Sequence, residues 1–248
     1  MSASNQLLDG VAKRREAASA IQRGQHEHAI AALREAAQIY ATLGEDPAQA
    51  EALDALSNLL RTNGRVAEAL PPAEQALQLV TKLAHDDAPR HLALLARLTD
   101  NLGRCCQQLR QFQRAAAAYE QAAAGYAILA NLPGSGGSDS DRLQLAEVMS
   151  RHALALAQIG QLDQAYAVAT AFVEHGRELL PRSLPLLTGG LLFMADLAGD
   201  LGRPSERVTH LRDGVQLLER AIKAGLPGAS EAAARMHAAL REAVADPS

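Results

Sequence analysis

A twenty-residue block recurs five times in this chain, and self-similarity at such a spacing restricts the fold to stacked copies of one small unit. The copies are AASAIQRGQHEHAIAALREA from Ala17, SNLLRTNGRVAEALPPAEQA from Ser57, GRCCQQLRQFQRAAAAYEQA from Gly103, ALALAQIGQLDQAYAVATAF from Ala153 and ADLAGDLGRPSERVTHLRDG from Ala195. Each opens on a small residue. Twelve positions later stands Ala29, Ala69, Ala115 or Ala165, with Arg207 as the exception in the last copy. The turn between them falls on Gly24, Gly64, Arg110, Gly160 and Gly202, four glycines in a chain that has 18. Glycine just past a helix supplies the left-handed residue that ends it, so each block reads as the end of one helix, a tight turn and the start of a second.

Two amphipathic helices of about 14 residues cannot bury their apolar stripes alone, whereas stacking on the next pair buries both. Small residues set the spacing of the pairs. Ala17 opposite Ala29, or Gly103 opposite Ala115, lets the paired backbones approach closely, and a bulky replacement there is expected to overpack the crossing by about 1–3 kcal/mol.

Leu102-Gly103, Phe112, Ala115, Tyr119 and Ala122 form the copy that most resembles the tetratricopeptide repeat, whose unit has Leu-Gly and an aromatic residue in the first helix and Ala, Phe and Pro in the second. The first-helix Trp of that pattern is replaced by Leu53, Thr99, Met149 and Leu191, and the terminal Pro is missing. The turn positions lie 40, 46, 50 and 42 residues apart, beyond the basic unit of ~34 residues. The inserted stretches LGEDPAQAEALDAL and LAHDDAPRHLALLARL resemble the longer repeats of kinesin light chains and bacterial peptide-sensing regulators. The resemblance implies an all-α, right-handed α-solenoid of five helix pairs, near 10–44, 45–84, 88–130, 141–180 and 183–224. It is read as a single domain over residues 1–248, with a flexible loop at 131–141 (NLPGSGGSDSD) and a capping helix at 229–245. Ser230 is the expected N-cap of that last helix, with Ala234, Ala238 and Leu240 on its apolar side.

In the family the first helices line a concave groove, so the resemblance implies ligand contacts at their outward positions. These are Arg14 on the first copy, Asp54, Asn58 and Arg61 on the second, Arg97, Asp100, Asn101 and Arg104 on the third, Arg151 and Leu154 on the fourth, and Leu192, Phe193 and Asp196 on the fifth. Asn58 and Asn101 resemble an asparagine ladder for an extended peptide, since a carboxamide both donates to and accepts from a backbone. The arginines suit an acidic or C-terminal carboxylate group on the partner. Leu191 to Met194 form an apolar run, read as core against the final helix, with a ligand contact or homo-oligomer interface as the alternative. The expected role is a protein- or peptide-binding scaffold. A self-associating structural protein and a peptide-sensing regulator stand as alternatives.

Composition narrows the partners. A net charge of −4 argues against nucleic acid, which is bound through clustered Lys and Arg, and the basic residues here are mostly Arg with only Lys13, Lys82 and Lys223. No stretch of ~18 apolar residues suggests a membrane span, and the chain reads as cytoplasmic and, from its Arg and Ala bias, bacterial. Catalytic and cofactor chemistry has no obvious seat. His26-Glu27-His28 places its two histidines in different helical directions, which suits no metal. Asp86-Asp87 reads as a helix connection, and GSGG at 134–137 lacks the Lys of a phosphate loop. Of the adjacent pair, Cys106 falls at an inward position and Cys105 is expected to be partly exposed.

Overall fold

The computed structural model describes residues 3–131, 138–180 and 182–245, and among them it contains eleven helices and no strand. The helices are α1 (Ala3–Gln22), α2 (His26–Leu43), α3 (Asp46–Thr62), α4 (Val66–Asp86), α5 (Ala88–Gln108), α6 (Phe112–Ala130), α7 (Asp139–Gln158), α8 (Leu162–Glu178), α9 (Leu184–Asp200), α10 (Pro204–Lys223) and α11 (Ala229–Ala245). The chain forms two compact units, residues 1–125 and 126–248. In the first, α1 packs on α2, α3 on α4, and α2 and α4 hand over to the next pair, so that α3 and α5, both first helices, touch. In the second, α7 packs on α8, α9 on α10, and α11 lies against α10 and α9.

All five turn positions are left-handed, with φ of 71° at Gly24, 77° at Gly64, 58° at Arg110, 78° at Gly160 and 66° at Gly202. The residue after each turn donates its N–H back across it, as in Arg65 N to Leu60 O (2.9 Å), Gln111 N to Cys106 O (2.8 Å) and Arg203 N to Ala198 O (2.7 Å). This closes the helix end as a Schellman motif and explains why a left-handed residue is needed there. Among the described residues, Arg110 alone adopts that conformation without being glycine. The inserted stretches hold the last residues of α2 and α4, the short connections after them and the opening turns of α3 and α5, first helices of 17 and 21 residues.

The small residues of the repeat are buried as expected: Ala17, Ala29, Ser57, Ala69, Ala115, Ala153, Ala165 and Ala195 are all within the core. Gly103, however, makes room for a ring and not for the backbone at Ala115. A Cβ there would lie 2.6 Å from the Tyr119 ring, and the same arrangement brings Tyr40 against Gly10 and Phe172 against Gly190. An aromatic residue of one helix thus fills the notch left by a glycine of its partner. Arg207, in the place of the repeat alanine, lays its aliphatic stem along Gly199, with Cδ 3.5 Å from where a Cβ would stand.

Between successive second helices, exposed ion pairs recur near the turns. Arg65 meets Glu27 at 2.7 Å and Arg114 meets Glu74 at 2.6 Å in the first unit, and Arg203 meets Asp163 at 2.8 Å in the second. Exposed pairs of this kind are screened by water and contribute little to stability, so they mainly set register.

Several expectations are corrected. The segment read as a loop over 131–141 gives way to helix at Asp139, because Ser138 caps α7: its Oγ accepts from Asp141 N (3.1 Å) while the Asp141 carboxylate accepts from Ser138 N (3.3 Å). Residues 134–137, the GSGG stretch, lie outside the described residues. Ser230 does not cap α11, which begins at Ala229 directly after the left-handed Gly228. Its apolar side is Ala232, Ala233, Met236 and Ala243; Ala234 and Ala238 are exposed, because Met236 inserts where Gly214 lacks a side chain. Cys105 is fully buried, like Cys106.

Among the described residues no helix is long and apolar enough to cross a membrane, and no group of three or more His, Cys, Asp or Glu side chains converges as a metal site would. His28 instead meets Glu16 at 2.8 Å, and Asp87 caps α5 by accepting from Arg90 N at 3.3 Å.

Candidate functional site

In the first unit, α3 carries Asp54, Asn58 and Arg61 at positions i, i+4 and i+7, one stripe of a helix. The neighbouring first helix, α5, carries Arg97, Asn101 and Arg104 at the same spacing, each 43 residues after its counterpart. Because α3 and α5 touch, the stripes can be matched in sequence register as three rungs, Asp54 with Arg97, Asn58 with Asn101, and Arg61 with Arg104; the bonds between the helices run through Asp54, and Arg61 lies near enough to Arg104 to feel its charge.

The first two rungs are interlocked. Asp54 is 1% exposed, and its Oδ2 accepts from the Arg97 guanidinium while its Oδ1 accepts from Asn101 Nδ2 at 3.0 Å and Asn58 Nδ2 at 3.3 Å. Burial pushes the Asp54 carboxyl above the usual carboxylate range, with Arg97 and then Asn101 pulling it back. Arg97 itself stays half-exposed at 49%, so the pair joins a buried anion to a cation that still touches water.

The third rung is different in kind. Arg61 donates through Nη2 to Asn58 Oδ1 at 3.1 Å, but its buried Nε has no acceptor. Arg104 is half-buried and makes no hydrogen bond or ion pair among the described residues. Burial, and next the nearby charge of Arg104, hold the Arg61 guanidinium below its ordinary value. The carboxamide oxygen of Asn101, a residue 3% exposed, also has no donor.

Beneath the rungs, Ser57 and Cys105 meet at 3.6 Å with both side chains fully buried, and burial raises the Cys105 thiol. Sequence reasoning placed Cys105 nearer the surface because the residue that covers it lies on the preceding first helix. The two residues are 48 apart in the chain, outside the 43-residue interval of the polar stripes, so no pattern in the sequence pointed to this contact.

The other anticipated contact residues lie apart from this cluster. Arg14 on α1 pairs with Glu51 of α3 at 2.8 Å. In the second unit, Arg151 pairs along its own helix with Glu147 at 3.5 Å, and Leu154 is exposed. On α9, Leu191 and Met194 are core residues, whereas Leu192 and Phe193 are half-buried and Asp196 is exposed.

Stacked helix pairs with left-handed turns and small residues at the crossings define a tetratricopeptide-type repeat fold, and solved structures agree. The chain is similar to the TPR-like repeats described as kinesin light chain from Podosopora anserina, at 22% identity and a TM-score of 0.63, over 91% of this chain and 98% of that one. It is also similar to the apo form of RapI (11% identity, TM-score 0.69, 86% of this chain and 54% of that one). A Rap protein complexed with competence and sporulation factor matches at 14% identity with a TM-score of 0.56, over 97% of this chain and 65% of that one. No protein-family model and no curated protein matches the sequence.

Proposed function

We propose that this chain is a protein- or peptide-binding scaffold, acting by recognition and not by catalysis, and that the α3/α5 face is its principal contact surface. The observation that carries the reading is the convergence of six polar side chains from successive first helices with polar atoms left over: Arg61 Nε and Asn101 Oδ1 are buried without partners. An unmatched buried polar atom costs about 1–3 kcal/mol, so a stripe that retains two is suited to a ligand that supplies the missing groups. Amide and guanidinium donors beside a free carboxamide oxygen match an extended backbone bearing an acidic or terminal carboxylate. One solved relative of the same fold is complexed with competence and sporulation factor, which supports a ligand-binding role for this architecture.

The test is a peptide library presented to the purified full chain and to Asn58→Ala/Asn101→Ala, with helicity checked by circular dichroism. The wild type is expected to select peptides that the double variant releases while keeping its helical signal. Equal selection by both proteins would remove this face from the function.

A further inference from the structure

We infer that Gly189 on α9 is the floor of a notch for an aromatic side chain of a partner protein, and that Asp196, two turns further along the same helix, takes a Lys or Arg of the same partner segment. This surface belongs to the second unit and is independent of the α3/α5 face.

The helix glycines of this chain are otherwise filled from within. A Cβ on Gly10 would strike the Tyr40 ring at 2.8 Å, one on Gly103 the Tyr119 ring at 2.6 Å and one on Gly214 the Met236 side chain at 2.6 Å, while Gly190 receives the Phe172 ring. Gly189 differs from all of them. It lies inside α9 and is exposed, and among the described residues nothing stands within 4 Å of where its Cβ would be. Glycine inside a helix weakens it relative to alanine, and here neither a turn nor a close neighbour in the chain accounts for it.

The flanks of the notch are apolar. Leu186, Leu192 and Phe193 stand at i−3, i+3 and i+4 from Gly189, on one side of α9, and all three are half-buried. In the other four copies the place of Gly189 is held by Val11, Glu51, Arg97 and Glu147, and that of Leu192 by Arg14, Asp54, Asp100 and Ser150. The three charged residues at the glycine's place are engaged within the chain, Glu51 with Arg14, Arg97 with Asp54 and Glu147 with Arg151. The last copy gives up that side chain and lines the gap with leucine and phenylalanine. A gap one side chain wide between such residues suits a flat ring, the filling the chain itself uses at Gly10, Gly103 and Gly190.

Asp196 defines the other end. It is exposed and makes no ion pair among the described residues, and it feels the carboxylates of Asp200 and Glu242 against the guanidinium of Arg207. That imbalance favours a partner bearing a cation. Seven residues of helix separate the notch from Asp196 by about 10 Å, the span of three residues of extended chain, so the partner carries its ring and its basic residue at that interval. A second copy of this chain does not supply the ring, since none of its three Phe and four Tyr residues is exposed.

The probe is the acetylated peptide amide Lys-Ala-Ala-Phe-Ala-Ala-Lys, which offers the spacing in both chain directions, titrated into the full chain while backbone amides are followed by NMR. The Gly189 and Leu192 signals are expected to move saturably. The same peptide with Ala for Phe, or with Glu for both Lys, is expected to leave them in place. Gly189→Leu should weaken the probe at least about tenfold with helicity kept, and Asp196→Asn should remove the preference for lysine over glutamate. Gly189→Ala should weaken the probe while raising the thermal midpoint, because the added methyl meets open space in a helix that gains from alanine. Asn58→Ala/Asn101→Ala should bind the probe like wild type. Absence of a saturable shift, equal binding of the ring-free or glutamate peptide, or unchanged binding by Gly189→Leu would overturn the assignment. So would a lowered midpoint for Gly189→Ala, which would mean that the notch is already filled.

Discussion

Replacing Asp54 by alanine and, separately, by asparagine separates two contributions that the structure superimposes. A fully buried ion pair broken by removing one partner costs about 3–5 kcal/mol, because the remaining charge is stranded. That figure does not apply here, since Arg97 is 49% exposed and can turn its guanidinium to water. What alanine strands is the pair of carboxamide donors, Asn101 Nδ2 in the core and Asn58 Nδ2 at its edge. An unsatisfied buried donor costs about 1–3 kcal/mol and a half-buried one less, so Asp54→Ala should lose about 2–3 kcal/mol.

Asparagine keeps the Oδ1 acceptor and removes a charge that burial already disfavours, so Asp54→Asn should lie within about 1 kcal/mol of wild type. Urea titration followed by circular dichroism measures both through the midpoint. The pH dependence follows from the raised carboxyl. A proton is held more tightly in the fold than in the unfolded chain, so Asp54's contribution to stability is greatest below about pH 4, the unfolded value, and falls as pH rises through the elevated folded one. The difference between wild type and Asp54→Asn should therefore shift in favour of the asparagine variant from about pH 4 upward. Equal losses for the two variants, or an opposite drift with pH, would refute the assignment of donors and burial as the controlling terms.

Two further substitutions test the turns and the crossings. Arg110→Gly should stabilise the fold by about 0.5–1 kcal/mol, because a left-handed L-residue costs about 1–2 kcal/mol and glycine returns part of that as chain entropy; Gly64→Ala should err in the opposite direction, and denaturant midpoints check both. Gly103→Ala should lose about 1 kcal/mol although alanine is the better helix former, since Tyr119 is fully buried and its hydroxyl donates to Gln107 Oε1 at 2.6 Å, which leaves the ring nowhere to go. In a Tyr119→Leu background the same change should become stabilising, a reversal that thermal melts would register.

The parts of the fold legible in the sequence were those encoded within one copy. The turn at Arg110 was found from its place among four glycines, and its φ of 58° has the conformation that those glycines allow. The six polar residues of α3 and α5 were legible as candidates because outward positions follow from the repeat template. Their bonding was not. Whether Asn101 faces a ligand or Asp54 depends on how two helices 43 residues apart are rotated, and the turn spacing varies from 40 to 50 along the chain.

The final helix failed for a similar reason: Gly225 and Gly228 are both left-handed, so the helix starts at Ala229, before Ser230, and one residue of rotation, about 100°, exchanges Ala234 for Ala233 in the core. Cys105 likewise depended on Ser57, a neighbour no local pattern announces.

The common interval of 43 residues between the rungs has a consequence for any attempt to move this site elsewhere. Asp54, Asn58 and Arg61 can be copied onto another helix, but their partners arrive in phase only because α4 and its two connections consume a fixed length of chain before α5 begins. One residue inserted within α4 would leave every side chain of both stripes present but turn the end of α4 by about 100° and shift it by about 1.5 Å, so that α5 would set out from a different place and carry Arg97 away from the aspartate it neutralises. The helix that contributes no side chain to the rungs is thus the ruler of the site, and its length is under the same constraint as the six residues themselves.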